Sequence, residues 1–161
     1  MEDIIKNAKQ DKDLFSTINI DELLSQMNQN TIDTIQNKTK IDIDNEILLF
    51  FKNKNFSNEQ INDYCSRLID YRIINELYEL HKGKPVKIFN LKTGKLKMGG
   101  IVCNINILDN GINILCKNAN MQSRFMQYKY NDHITFQMLS DEEQLILLIN
   151  KYLANLTNAN T

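Results

Sequence analysis

The chain has 161 residues, of which 42% are hydrophobic and 24% charged, with a net charge of −1. That length suits one domain, or a small domain carrying an extension, and the apolar content can fill a core, so the sequence makes no case for wholesale disorder or for two full cores. No run approaches the roughly 18 apolar residues that cross a bilayer, and the opening Met-Glu-Asp lacks the order of a signal peptide, so the sequence reads as soluble and cytoplasmic.

Residues 1 to 18 carry too weak a pattern to place, as a short helix or as an arm that orders on a partner. From Asn19, the spacing of Ile20, Leu23, Leu24 and Met27 predicts an amphipathic helix capped by Asn19 or Asp21. Ile32 and Ile35 add a turn, and Asn37 to Lys40 reads as a loop. Asp44 is expected to cap a short buried helix through Phe51. Ser57 and Gln60 form a capping box, and the helix behind it is expected to be the longest element. Its apolar residues Ile61, Tyr64, Leu68, Ile73, Leu77 and Leu80 reach His81, with Gly83 and Pro85 as the stop.

Residues 85–139 alternate apolar and polar with a period of two, the signature of strands with an inside and an outside. The runs are broken at Lys92-Thr93-Gly94, Asp109-Asn110-Gly111, Asn118 to Ser123 and Asn131-Asp132. Asp-Asn-Gly is a strong hairpin signal, because Asn and Gly take up positive φ cheaply. Gly99-Gly100 suits a sharp bend in a long strand. Ser140 and Glu143 make a second capping box for a closing helix, and the chain from Ala154 is expected to fray. The predicted fold class is α+β: a helical segment over 1–82, a small five-stranded β-barrel over 83–139, and a C-terminal helix over 140–161 that packs back on the body.

Charge is segregated along the chain. Between 81 and 139 there are nine Lys/Arg against two Asp/Glu, +7, while 1–80 carries −6 and 140–161 carries −2. Such asymmetry implies an anionic partner for the basic segment. Cys65, Cys103 and Cys116 are odd in number and lack paired spacing, which argues against a disulfide framework and a zinc site. The abundance of Asn, Ile and Lys, with one Pro and no Trp, is the usage of an AT-rich coding sequence, compatible with a virus or phage, a low-GC bacterium or a protist.

The run Pro-Val-Lys-Ile-Phe-Asn-Leu-Lys-Thr-Gly-Lys-Leu-Lys-Met-Gly-Gly-Ile from Pro85, followed by Asn-Ile-Leu-Cys-Lys-Asn and Met-Gln-Tyr-Lys-Tyr-Asn-Asp-His-Ile, resembles the Sm-like fold, especially bacterial Hfq, and more broadly SH3-like barrels. The resemblance implies ring-shaped oligomers that bind single-stranded, U-rich RNA around a basic pore. The family's Tyr-Lys-His run would correspond to Tyr128 and Lys129, with Tyr130 at the His position and His133 further along. The acidic helical segment before the barrel has no counterpart in that pattern.

Lysines offset phosphate charge by counterion release, and aromatic faces stack on unpaired bases. Lys87, Lys92, Lys95, Lys97 and Lys129, with Tyr128 and His133, are therefore the candidate nucleic-acid-binding residues. Lys87, Lys95, Lys97 and Lys129 lie opposite the apolar faces of their strands and are expected to be exposed. The same lysines also suit a solvated face that keeps strand edges from pairing. Tyr128 and Tyr130 suit the core as well as stacking, and His81 and His133 read as local hydrogen-bonders, away from any metal cluster. Asp42, Asp44 and Glu46 lack the Gly and terminal Glu of a calcium loop and read as a solvated helix start. No catalytic motif stands out. The expected function is a non-enzymatic module without cofactor, its barrel contacting nucleic acid, RNA above DNA, and its helices docking a protein partner. The alternative is a structural or assembly protein of a virus or phage, in which copies share edges or end helices as a homo-oligomer.

Overall fold

Local side-chain chemistry starts most of the helices. In the computed structural model, which describes residues 2–10, 15, 18–118, 120 and 124–159, α1 spans Glu2–Gln10, α2 Ile20–Ser25 and α3 Gln29–Thr34. Asn19 accepts the Glu22 N–H at 3.2 Å and Asn28 that of Asn30 at 2.9 Å, each satisfying a donor the helix leaves over. The next helix, α4 (Lys40–Lys52), starts four residues before the expected cap at Asp44, because Thr39 and Asp42 bond each other reciprocally across its first turn. Ser57 and Gln60 form the expected capping box of α5 (Asn58–Arg67). Ser140 and Glu143 do the same for α6 (Asp141–Ala159). The fraying expected from Ala154 does not occur up to Ala159; residues 160 and 161, with 11–14, 16–17 and most of the 118–123 turn, lie outside the described residues.

The chain divides into two compact units, one of residues 1–45 and 139–161 and one of residues 46–138. In the first, α6 inserts Leu145, Ile146 and Ile149 among Ile5, Ile35 and Ile43, all nearly or wholly shielded from water. Asn150 donates to the carbonyls of Ile35 (3.2 Å) and Lys38 (2.8 Å), which fastens the turn where Asn37 adopts φ 63°. Asn is the residue type that tolerates that conformation best after Gly.

The second unit holds six antiparallel strands: β1 (Tyr71–Ile73), β2 (Pro85–Asn90), β3 (Leu96–Leu108), β4 (Gly111–Lys117), β5 (Phe125–Lys129) and β6 (His133–Met138). Their order is β1-β6-β2-β3-β4-β5, an open sheet. This corrects the five-stranded Sm-like or SH3-like barrel. Alternation is satisfied by any ladder and does not say whether the first and last strands meet. Here β6 pairs with β2 on one side and β1 on the other, and β5 pairs with β4 alone among the described strands. After Lys129 the backbone enters a 3-10 turn, Tyr130–Asp132, and does not extend the ladder.

The sixth strand comes from the stretch expected to be helix. The helix after Ser57 ends at Arg67, not His81, and Leu68 closes it with φ −117°. Tyr-Arg-Ile-Ile from Tyr71 is rich in strand-forming types, and β6 offers it a free ladder from Tyr71↔Met138 to Ile73↔Phe136. Farther on, a 3-10 turn at Leu77–Glu79 is held by Arg72, which donates to the Glu79 carbonyl at 2.8 Å. Buried Gln137 grips the backbone of His81 through both amide atoms, each at 2.8 Å. Gly83 does take positive φ, 84°, but in the turn leading to β2 and not at a helix end.

The β3–β4 hairpin turns through Asp109-Asn110, as expected, with Leu108 opposite Gly111. Gly99-Gly100 is the expected bend: Gly100 has φ 96°, and the register shifts beside it at Val86/Lys87 and again at Val102/Asn104. On one face of the sheet Val86, Ile88, Val102, Ile114, Cys116 and Tyr128 form a core. On the other, Phe89, Leu96 and Phe136 pack under Ile47 and Phe51 of α4, Ile61 of α5 and Leu68 just past its end. Tyr64 and Arg67 on α5 donate to the carbonyls of Gly94 and Leu96, each at 3.0 Å, and fix that helix over the β2–β3 end.

Candidate nucleic-acid interface

The helices cover only half of their face of the sheet. Across β3, β4 and β5 the same face is bare of any core cluster among the described residues, and the register arranges it in rows. Asn106 stands opposite Asn113, which stands opposite Lys129. In the next row Asn104 and Gln127 flank Leu115. In the last, Ile101 and Phe125 flank Lys117. None of these side chains is buried or belongs to a core cluster, and none is acidic. Phe125 is 61% exposed. Asn104 donates to Asn106 Oδ1 at 2.7 Å, and the Asn106 amide nitrogen has no partner among the described residues.

Beside Phe125 lies a recess of about 290 Å³, lined by Met98, the Gly99-Gly100 backbone, Asn118, Asn120 and Arg124. Its size is at the lower end for ligand pockets, so it suits one ring system and not a large cofactor. The glycines there serve packing: a Cβ on Gly100 would sit 2.4 Å from the Lys117 carbonyl oxygen, and one on Gly99 2.8 Å from Val86 Cγ2.

The seven residues singled out in the sequence separate into several places. Lys95 and Lys97 are exposed, as expected, and Lys92 is exposed in the β2–β3 turn. Lys87 is not free: its Nζ donates to the Arg67 carbonyl at 2.5 Å and lies 4.7 Å from the centre of the Tyr71 ring. Burial, and then the Arg67 charge, lowers its pKa. Alternation correctly put Lys87 opposite Val86 and Ile88, but that face is the one α5 covers. Tyr128 is buried, its hydroxyl 2.9 Å from Thr135 Oγ1, and it offers no stacking surface. Lys129 is exposed on the bare face.

His133 is half-buried and joins two turns. Its Nδ1 lies 2.8 Å from the Lys129 carbonyl and its Nε2 3.4 Å from Asn90 Nδ2. The carbonyl can only accept, so Nδ1 carries the proton and Nε2 accepts from the Asn90 amide, the neutral tautomer. Asn90 Oδ1 meanwhile accepts from the backbone of Lys92 and Thr93, at 2.9 and 3.0 Å, which orients that amide. The histidine therefore positions Lys92 and Lys129 through backbone and is committed to structure. Phe125, Arg124 and the Asn rows were missed because the alternating pattern does not say which half of a face a helix leaves bare. The one available signal was Asn at 104, 106 and 113 on strand positions, where Asn is disfavoured.

Of the three thiols Cys116 is buried, while Cys65 and Cys103 are partly exposed. Burial, with a contribution from Cys103, pushes Cys116 up to about 12, and burial raises Tyr128 above the usual phenol range against the opposing Thr135 hydrogen bond. Unfolded, these groups ionise near about 8.5 and 10. Below those values nothing is lost; above them the unfolded chain gives up protons the folded chain keeps, so stability must fall as pH rises from about 9 towards 12. A melting temperature at pH 11 well below that at pH 8 is expected, and Cys116→Val should reduce the difference; equal values at both pH would refute the assignment.

Among the described residues no group of three or more His, Cys, Asp or Glu could hold a metal ion, and no helix is long and apolar enough to cross a membrane. The chain matches no protein-family model, and no curated protein or solved structure matches it significantly.

Proposed function

We propose that the sheet unit is a non-enzymatic binding module for single-stranded nucleic acid, RNA in preference to DNA, acting in the cytoplasm. The observation that carries this reading is the state of its cations. Of the nine basic residues between 81 and 139, only Lys87 has its side chain tied down, and none has a carboxylate partner among the described residues; the ion pairs Lys40–Asp44 and Arg67–Asp63 lie elsewhere. Unpaired cations around a sheet are what a polyanion needs, because each phosphate contact releases condensed counterions. RNA is favoured because sequence recognition of RNA works on unpaired, splayed bases that an uncovered sheet face can receive. The helical unit is the part suited to a protein partner, since Leu153 and Leu156 near the end of α6 are 42% and 43% exposed.

The test is fluorescence anisotropy of the full chain with 12-nucleotide RNA and DNA strands across a salt series. With about five phosphate contacts, affinity should fall roughly 100-fold between about 50 and 200 mM salt. No binding at the lowest salt would end the proposal. A second reading, an assembly protein whose copies add strand to strand, is favoured by the outer edge of β5, which pairs with nothing among the described residues. A large, stable assembly eluting from a sizing column with no absorbance excess at 260 nm would establish that reading in place of the first.

A further inference from the structure

We infer that the bare half of the sheet, on β3, β4 and β5, is the surface that receives the bases, with Phe125 as the stacking platform, the Asn106–Asn113 pair as the reader of base edges, and Lys117 and Lys129 as phosphate contacts. The inference rests on the binding function just proposed and locates it.

Three independent features converge on these residues. The first is the row geometry: Lys117 lies beside Phe125 and Lys129 beside Asn113, so each cation has a base-reading or stacking neighbour on the adjacent strand. Residues two apart along a strand repeat at about 6.6–6.8 Å, which lays the rows out as successive subsites for a strand crossing the sheet. The second is exposure without cover. Phe125 is 61% exposed, and Leu115 and Ile101 on the same face are only partly buried and join no core cluster, although the other half of the face is buried under helices. The third is the chemistry of the face. Beside Ile101, Leu115 and Phe125 it carries amides and cations and no carboxylate, and Asn113 makes no side-chain hydrogen bond among the described residues. An amide presents a donor and an acceptor side by side, the complement of a base edge. Arg124 and the recess beside Phe125 extend the site at its end, where one unstacked base has room.

The experiment compares the full chain with Phe125→Ala, Phe125→Trp, Asn106→Ala/Asn113→Ala and, away from the face, Lys92→Ala/Lys95→Ala/Lys97→Ala, by anisotropy with labelled U12 and A12 RNA. Circular dichroism melts confirm that each variant folds, which is expected since every substituted side chain is at least partly exposed. Phe125→Ala should weaken binding roughly 5- to 150-fold while Phe125→Trp retains it, since any aromatic ring supplies the stacking face. The double Asn variant should narrow the ratio of U12 to A12 affinity while leaving the salt slope unchanged, a readout that a merely structural role would not move. Wild-type binding with full affinity and unchanged U12/A12 preference in both the Phe125→Ala and the double Asn variants would overturn the inference and leave the binding function standing. Failure of the wild-type chain to bind either strand would overturn both.

Discussion

Gly100→Ala is expected to cost about 3 kcal/mol or more and to lower the melting temperature by roughly 6–12 °C, at about 2–4 °C per kcal/mol for a chain of this size. Two effects add. At φ 96° an L-residue pays a conformational penalty of about 1–2 kcal/mol, and the new Cβ would lie 2.4 Å from a backbone carbonyl oxygen on β4 that cannot swing aside. Gly83→Ala separates them, because Gly83 also has positive φ, 84°, but nothing within 4 Å of its would-be Cβ. That variant should lose only the conformational part. A Gly100→Ala protein melting together with Gly83→Ala would mean that β3 and β4 do not approach as closely at the bend as described.

The second large effect belongs to Phe51, which is wholly shielded from solvent. Its ring stacks on Phe136 at 5.9 Å and meets Tyr64 at 5.1 Å and Phe89 at 5.5 Å, so it joins α4 and α5 to the covered half of the sheet. Phe51→Ala removes that volume from a packed core and is expected to cost about 3–5 kcal/mol. A lower urea midpoint with an unchanged denaturant slope would show it. Phe51→Leu, which keeps most of the volume, should lose less. A midpoint within error of wild type for the alanine variant would mean that the aromatic cluster is not the core of this unit.

What could be read in the sequence was local. Asn19, Ser57 with Gln60, and Ser140 with Glu143 announce their helices because a cap and its partner lie within one turn. Asp109-Asn110-Gly111 announces its hairpin because turn conformation is a property of those residues alone. What misled was every feature decided at a distance. The periodicity from Leu68 to Leu80 fits a helix, yet Tyr71 to Ile73 go to β6, a strand more than sixty residues later that leaves an edge to be paired. Closure of a barrel depends on whether the outermost strands meet, which alternation within each strand does not encode. The candidate lysines were found by face but not by cover, so Lys87 was counted with Lys129 although one lies under α5 and the other in water. His133 read as a local hydrogen-bonder and does bond Lys129 four residues before it, but its second partner, Asn90, is brought to it only by folding.

The sheet unit is a single continuous stretch, whereas the helical unit is assembled from residues on either side of it. During synthesis the ribosome therefore releases everything the sheet needs before it releases α6. Until then Ile5, Ile35 and Ile43 lack the leucines and isoleucines that will shield them. The sheet can mature before α6 emerges, and the helical unit is the later step, the one most exposed to chaperone capture or premature cleavage.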